Sequence, residues 1–303
     1  MERDVHAVTG AFGYSGQHLA RLLLERGARV RSLTGHPDRP DPFGGRVEVR
    51  RLAFDDPAAL RASLAGVQVL HNTYWVRFAH GGVDHALAVE RSRRLFAAAA
   101  EAGVERVVHV SITNPSPGSP LPYFRGKAQV EEALRRSGLS HAILRPAVFF
   151  GGRDVLINNV AWLLRRLPVF GVAPGSYGLQ PIHVDDMARL AAEQGERRED
   201  VTLDAVGPEA IEFRELVRMV KRAVGARALL FPAPPWLLLA ASALLRPVVG
   251  DVALTADEIA GLRAGLLVSK GPPTGTTRFS EWLAANAGRL GREWASELQR
   301  HFR

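Results

Sequence analysis

Tyr123 and Lys127 are four residues apart in the segment Tyr123-Phe124-Arg125-Gly126-Lys127, a spacing that puts both side chains on one face of a helix. A phenol beside an ammonium suits carbonyl reduction or alcohol oxidation. The cation lowers the phenol's pKa toward neutrality and can bond a ribose, while the phenol exchanges a proton with the substrate oxygen. The chain has four tyrosines and, among its 39 basic residues, three lysines: Lys127, Lys221 and Lys270. Chance therefore rarely sets one beside the other. In a chain that writes nearly every basic position as arginine, a lysine marks a place where a guanidinium would change reach and geometry. The plainer alternative is a surface lysine one turn after a tyrosine. Just upstream, Ser111-Ile112-Thr113 closes a strand pattern with two hydroxyls that could polarise a substrate oxygen. Thr113 is the first choice and Ser111 the second, although both are also ordinary turn formers.

A second segment lies near the N-terminus, where Thr9-Gly10-Ala11-Phe12-Gly13-Tyr14-Ser15-Gly16 sets glycines at G-x-x-G-x-x-G spacing between a strand pattern and a helical one. The first glycine allows a tight turn, the second a close approach of backbone to a pyrophosphate, and the third close packing of helix on strand. The helix start then offers free N–H groups and a partial positive charge to phosphates. A ligand-free turn and a flavin site are alternatives; a nicotinamide dinucleotide is the favoured reading. The next strand pattern ends in Leu33-Thr34-Gly35-His36, without the acid that would bond the ribose hydroxyls of NAD. Thr34, His36 and Arg39 suit a 2′-phosphate, so NADP is the expected cofactor and NAD the alternative.

The elements that must position these residues alternate strand and helix. Strands are predicted at Asp4 to Thr9, Arg29 to Leu33, Val47 to Leu52, Val67 to Asn72, Arg106 to Ser111 and His141 to Leu144. Helices are predicted at Ser15 to Arg26, Pro57 to Leu64, Val83 to Ala102 and Leu121 to Ser137. This alternation predicts an α/β fold, a doubly wound parallel sheet of the Rossmann type. It occupies residues 1–150, with 151–303 forming a smaller, mostly helical substrate lobe from which some segments return to the core. In that lobe a helix is expected over Asp185 to Gln194 with Asp185 as N-cap, a strand near Thr202 to Val206, and a helix opened by a Thr255–Glu258 capping box and closed by Gly271. The nearly all-apolar run Trp236 to Leu245 is interrupted by Arg246 and Pro247, short of the ~20 residues that span a bilayer. It reads as a buried helix or one covering a substrate pocket, with peripheral membrane contact the lesser alternative.

Composition narrows the function. At 303 residues, 47% hydrophobic and 23% charged, the chain has material for a sizeable core. It contains no cysteine, which excludes disulfides, thiolate metal sites and a cysteine nucleophile. The net charge of +8 is spread along the length rather than gathered in a run, which argues against nucleic acid as partner. His183-Val184-Asp185-Asp186 offers too few ligands for a metal, and His80 and His85 read as surface or loop residues. The charged start of the chain, leading straight into a strand, favours a cytoplasmic location.

With these residues in view, the chain resembles the extended and atypical short-chain dehydrogenases/reductases, which include the NAD-dependent epimerase/dehydratase proteins. The likeness rests on TGAFGYSG, VVHVSI, YFRGK, SGLSHAILRPAVFFG and PIHVDDMARL. It is nearest to the NmrA-like and complex I accessory-subunit-like branches, which hold both enzymes and cofactor-binding proteins without known turnover. The resemblance implies that Gly10, Phe12, Gly13, Tyr14 and Ser15 wrap the pyrophosphate, that Asn72, Thr73 and Tyr74 line the cofactor, and that Pro146 and Val148 approach the nicotinamide amide. It also implies that Tyr123 and Lys127 act in catalysis. Two departures stand out. Leu52 and Ala53 replace a Gly-Asp pair that contacts adenine in many relatives, which moves adenine binding to backbone near Phe54. Ser111 to Asn114 and a proline-rich loop replace the serine-rich segment usual in sugar-nucleotide epimerases.

The expected function is thus an NAD(P)-dependent oxidoreductase acting on a small, fairly apolar carbonyl or secondary alcohol, with helix pairing into a homodimer as in the family. The alternatives are a cofactor-binding regulatory or assembly protein, and a sugar-nucleotide epimerase/dehydratase. Trp75 and Phe78, beside Tyr74, are candidates for an aromatic substrate wall or for ordinary packing.

Overall fold

Continuous β-branched and apolar runs of five or six residues can be buried on both faces only in a parallel sheet covered by helices, and the computed structural model, which describes residues 4–298, has that sheet. Its strands are β1 (Val5–Thr9), β2 (Arg29–Thr34), β3 (Val47–Arg51), β4 (Val69–Asn72), β5 (Arg106–Val110), β6 (Ser140–Pro146) and β11 (Val201–Ala205). They lie in the order β11-β6-β5-β4-β1-β2-β3, and every pairing is parallel. The chain runs outward from β1 in one direction and, after crossing to β4, outward in the other. The reversal leaves a crevice at the carboxyl ends of β1 and β4, the place where doubly wound sheets bind ligands.

Helices α2 (Pro57–Ser63), α3 (His85–Glu101) and α4 (Pro122–Arg136) cover one face of the sheet. Leu60, Leu95, Phe96, Val130 and Leu134 meet Ala7, Leu70, Val107 and Ile143 there. Against the other face, α6 (Val184–Gly195) approaches closely enough that a Cβ on Gly195 would lie 3.1 Å from the His71 ring. The helix α1 (Tyr14–Glu25) is tied to the α6 segment by His18 on Asp185 and Arg26 on Glu196.

The chain divides into two units, the first comprising Met1–Pro146 and Asp185–Ala205 and the second Ala147–Val184 and Val206–Arg303. The strand expected near Thr202 therefore completes the main sheet as a seventh strand beside β6. Buried Arg106 fastens the returning segment: its guanidinium donates to Gln194 O (2.6 Å), Glu199 O (2.9 Å) and Ser140 Oγ (2.6 Å). It thereby satisfies the Gln194 carbonyl in the last turn of α6, which lacks a helical partner, and the Glu199 carbonyl in the loop before β11.

The second unit contains α5 (Val155–Arg166), α7 (Phe213–Ala223), α8 (Pro235–Val249), α9 (Ala256–Arg263) and α10 (Phe279–Asn286). Its six short strands are β7 (Phe149–Phe150), β8 (Val169–Val172), β9 (Gly178–Leu179), β10 (Ile182–His183), β12 (Ile211–Glu212) and β13 (Leu229–Pro232), paired β10-β7, β12-β9 and β13-β8. Its core gathers Phe150, Ile157, Leu164, Leu216, Val220 and Phe279.

Four local expectations are corrected here. The Thr255–Glu258 capping box is present, but α9 ends at Arg263, where Gly265 takes φ +69°, well before Gly271. Asp185 lies inside the first turn of α6 rather than ahead of it. The interruption of the apolar run at Arg246 and Pro247 does not end α8, which runs on to Val249 although Pro247 has no N–H to give the Ala243 carbonyl, and Gly250 closes the helix in the left-handed conformation. Nor is α8 a buried helix, since Ser242 alone among its residues is buried.

Candidate active site

The glycine turn is built by steric necessity. Gly10 adopts φ +71° and donates its N–H to Leu33 O at 2.8 Å, while Gly13 N–H donates back to Gly10 O at 2.8 Å. The same Gly10 oxygen would lie 2.3 Å from a Cβ on Gly16 and 3.1 Å from one on Gly13. The third glycine thus lets the helix start fold onto the turn itself. Gly13 caps α1 without any side-chain bond, and the first turn holds no acid, so the partial positive charge of the helix is left for an anion. Half-buried Phe12 leans on Phe43, Tyr14 packs edge-on to His18, and Ser15 is half-buried in the first turn.

At the end of β2, Thr34 Oγ1 accepts the His36 N–H at 3.0 Å, leaving the His36 side chain exposed. Arg39 is half-buried, and burial pulls its guanidinium below the ordinary arginine range. The Asp41 carboxylate accepts from Phe43 N and Gly45 N and so shapes its own loop.

At the end of β4, Asn72 is fully buried, and its side chain works inward. Asn72 Oδ1 accepts from Tyr74 N at 3.1 Å, and Nδ2 lies 3.2 Å from His109 Nδ1. Thr73 is clamped to Thr9 through N–H···Oγ1 (2.7 Å) and through its hydroxyl on Thr9 O. Asn72 therefore positions the backbone of Thr73 and Tyr74, the two half-buried residues at the crevice. Phe54 is likewise a core residue: its ring packs on Tyr74 at 4.8 Å and its carbonyl accepts from Arg94 Nη1 at 3.2 Å.

The tyrosine and the lysine lie together on α4. Lys127 is 2% exposed and donates from Nζ to Val110 O at 2.7 Å. Its ammonium sits 4.6 Å from the centre of the Trp75 ring, a cation–π contact. Burial lowers the Lys127 pKa to about 7, against an upward pull from Glu131. Half-buried Tyr123 meets Trp75 and His85 edge-on at 5.8 and 5.6 Å, and those two rings stack on each other at 5.8 Å. His85, read from the sequence as a surface or loop residue, thus belongs to this cluster. Gly126 makes room for it, since a Cβ there would lie 2.9 Å from Trp75 Cη2. Gly126 is the contributor that motif reasoning overlooked. Its signal was a glycine in mid-helix, which costs about 1 kcal/mol relative to alanine and asks for a reason.

The two candidate hydroxyls differ. Ser111 Oγ donates to Glu131 Oε1 at 2.6 Å, so it serves a buried carboxylate that also accepts from Arg145 Nε (2.9 Å), Arg145 Nη2 (2.6 Å) and Arg135 (2.9 Å). Thr113 is fully buried and held by its N–H on Pro146 O at 2.9 Å. Pro146 ends β6 opposite Ala205, while Val148, in the second unit, accepts the Ile182 N–H at 2.9 Å.

A parallel sheet with a glycine turn at its crevice and a buried lysine beside a tyrosine defines a nucleotide-dependent oxidoreductase or epimerase class. The NAD(P)H-binding family matches residues 10–158. A (4-alkanoyl-5-oxo-2,5-dihydrofuran-3-yl)methyl phosphate reductase of Streptomyces griseus is 30% identical over 224 residues, covering 72% of this chain and 73% of that protein. A ceramide reductase of Caulobacter vibrioides is 29% identical, covering 80% of this chain and 78% of that protein. The triphenylmethane reductase of Citrobacter, solved with NADP(H), superposes with a TM-score of 0.76 at 19% identity, over 93% of this chain and 99% of that one. An uncharacterized protein of Mycobacterium tuberculosis matches 61% of this chain at 29% identity, and that match spans 19% of the mycobacterial protein. This chain belongs to the NAD(P)H-binding family, and its residues fit the cofactor. Gly10 takes a left-handed φ, a Cβ on Gly13 or Gly16 would crowd the Gly10 oxygen, and the uncapped start of α1 suits a diphosphate.

Proposed function

We propose that this chain is an NADP(H)-dependent reductase exchanging hydride with a carbonyl or secondary alcohol, and that its substrate is small and largely apolar. The observation that carries this reading is Lys127, buried with a pKa of about 7 on the same helix face as Tyr123. A bland surface lysine would be hydrated and unshifted. Reductase relatives of similar length support the reaction class.

The turn Gly10–Gly16 and the start of α1 would hold the diphosphate, and Thr34, His36 and Arg39 the 2′-phosphate. The bound nicotinamide supplies or accepts the hydride. Tyr123 gives its phenolic proton to the substrate oxygen in reduction and takes it back in oxidation. An ammonium has three donors, and Val110 O takes one of those of Lys127; the others are available to the ribose hydroxyls, and the charge favours the phenolate. Trp75 and His85 exclude water from the pair and present an aromatic wall, which favours an apolar substrate.

The test is fluorescence titration with NADPH and NADH of the native chain and of the Lys127→Ala and Tyr123→Phe variants, followed by turnover on a panel of aldehydes and ketones. NADPH should bind more tightly than NADH. Lys127→Ala should weaken it about tenfold, and Tyr123→Phe should keep binding while losing about 10²-fold or more in turnover. Because the ammonium is the active form, kcat/KM should fall as pH rises through about 7. Absence of binding by either nucleotide would refute the reading, and binding without turnover on any carbonyl would replace it with a sensing or assembly role.

A further inference from the structure

Within the second unit, α8 turns outward a face made of apolar residues. Trp236, Ala240, Leu244 and Val248 recur every four residues and all are exposed, with Ala243 and Pro247 exposed beside them. At about 100° per residue this stripe covers about 140° of the helix circumference. Trp236, Leu244 and Val248 are 68%, 78% and 74% exposed.

A second exposed apolar face lies on the β8–β13 ribbon. Val169 pairs with Leu229 and Gly171 with Phe231, so Val169, Leu229 and Phe231 share one face of the pleat, and all three are exposed. The helix and the ribbon meet at Gly171, where a Cβ would lie 2.9 Å from Leu238 of α8 and 3.4 Å from the Phe231 ring. Apolar side chains left open in this way mark an interaction site. Along the chain, Gly225 to Gly250 holds no carboxylate and two arginines, Arg227 and Arg246, both exposed; the nearest exposed acid on the neighbouring α9 is Asp257.

We propose that this face seats the protein on an anionic lipid surface, with α8 lying in the headgroup plane and Arg227 and Arg246 against lipid phosphates. An apolar helix face with a tryptophan at its start and cations at its flank is the composition of an interfacial helix. A second copy of the same face would set arginine against arginine, whereas anionic headgroups complement both features. The helix lies on the membrane rather than through it. Among the described residues no helix is long and apolar enough to cross one. The proposal takes up peripheral membrane contact, which the sequence left as the lesser alternative for this run.

Co-sedimentation of the full chain with phosphatidylcholine vesicles, with and without phosphatidylglycerol, tests the proposal. Binding should require phosphatidylglycerol and weaken in high salt. Trp236→Ser and Leu244→Ser should each lower the partition coefficient about tenfold, and Arg246→Ser about fivefold. These side chains are exposed, so the variants should keep the native melting transition, which circular dichroism checks. No partition into anionic vesicles, or partition indifferent to Trp236→Ser and Leu244→Ser, overturns the proposal. So does a concentration-dependent dimer that Leu244→Ser dissolves in the absence of vesicle binding.

Discussion

Lys127 and Glu131 lie one turn apart on α4, both nearly inaccessible to solvent, and the fold treats their charges in opposite ways. Burial pushes the Glu131 carboxyl up, but bonds from Arg145 and Ser111 outweigh it and hold the group below the usual carboxylate range. Lys127 has a carbonyl and an aromatic face, and its pKa falls to about 7. A saturated charge is a structural fastener, here joining α4 to β5 and β6. A buried charge given less than it needs is held at a cost in stability, and such groups cluster at functional sites. On the function proposed above, the pair separates, on one helix, what the scaffold requires from what the chemistry requires.

The largest expected effect breaks the fastener. Glu131→Ala would leave the half-buried Arg145 without its partner, and the cost should be about 3 kcal/mol in urea unfolding. An unchanged midpoint would mean that the network carries no weight. The next prediction has the opposite sign. Lys127→Met keeps volume and removes a charge the folded state disfavours, so below pH 7 the variant should be the more stable protein while losing NADPH affinity. The folded pKa of Lys127 lies below its unfolded value, so between about 7 and 10.5 the unfolded chain binds more protons. The stability of the native chain therefore rises with pH in that window. Its deficit against Lys127→Met should shrink from pH 7 to 10; a deficit that is flat with pH would show that Lys127 is not desolvated.

How much of this contrast is readable beforehand follows from the range of the interactions. The Tyr123–Lys127 spacing is local and helical, and the strands Val5–Thr9 and Arg29–Thr34 are buried runs whose limits lie within one residue of expectation. Glu131, by contrast, is an unremarkable helix acid until β5 brings Ser111 to it and β6 brings Arg145. The place of Val201–Ala205 in the main sheet depends on its pairing with β6, to which Arg106 contributes through carbonyls some 90 residues away in sequence. Hydropathy marked α8 as apolar but could not say which of its faces would be covered, because that depends on β8, β13 and α9. Trp75 was a candidate wall, but its stacking on His85 joins the segment after β4 to the start of α3, a contact that no spacing encodes.

A smaller change sharpens the division of labour between the two hydroxyls. Ser111→Ala removes one bond to a buried carboxylate and should cost about 1.5–2 kcal/mol of stability. Because Arg145 still holds Glu131, turnover should change little. Thr113→Val, at the fully buried hydroxyl that the sequence reading expects to face the substrate oxygen, should lower kcat more than Ser111→Ala does. Loss of turnover in Ser111→Ala would exchange their roles.

The smallest effect is expected at Gly126, whose missing Cβ lets Trp75 close over Lys127. Gly126→Ala gains about 1 kcal/mol of helix propensity and loses about 1–2 kcal/mol by overpacking against the indole, so net stability should move by about 1 kcal/mol or less. Lys127 should respond more clearly than stability does. If the added methyl pushes Trp75 aside, water reaches the ammonium and its pKa climbs from about 7 toward the ordinary lysine range. The fall of kcat/KM with pH should then begin at higher pH than in the native chain, and the stability gained between pH 7 and 10.5 should shrink with it. A Gly126→Ala variant with both pH profiles unchanged would mean that the protein core, rather than Trp75, desolvates Lys127.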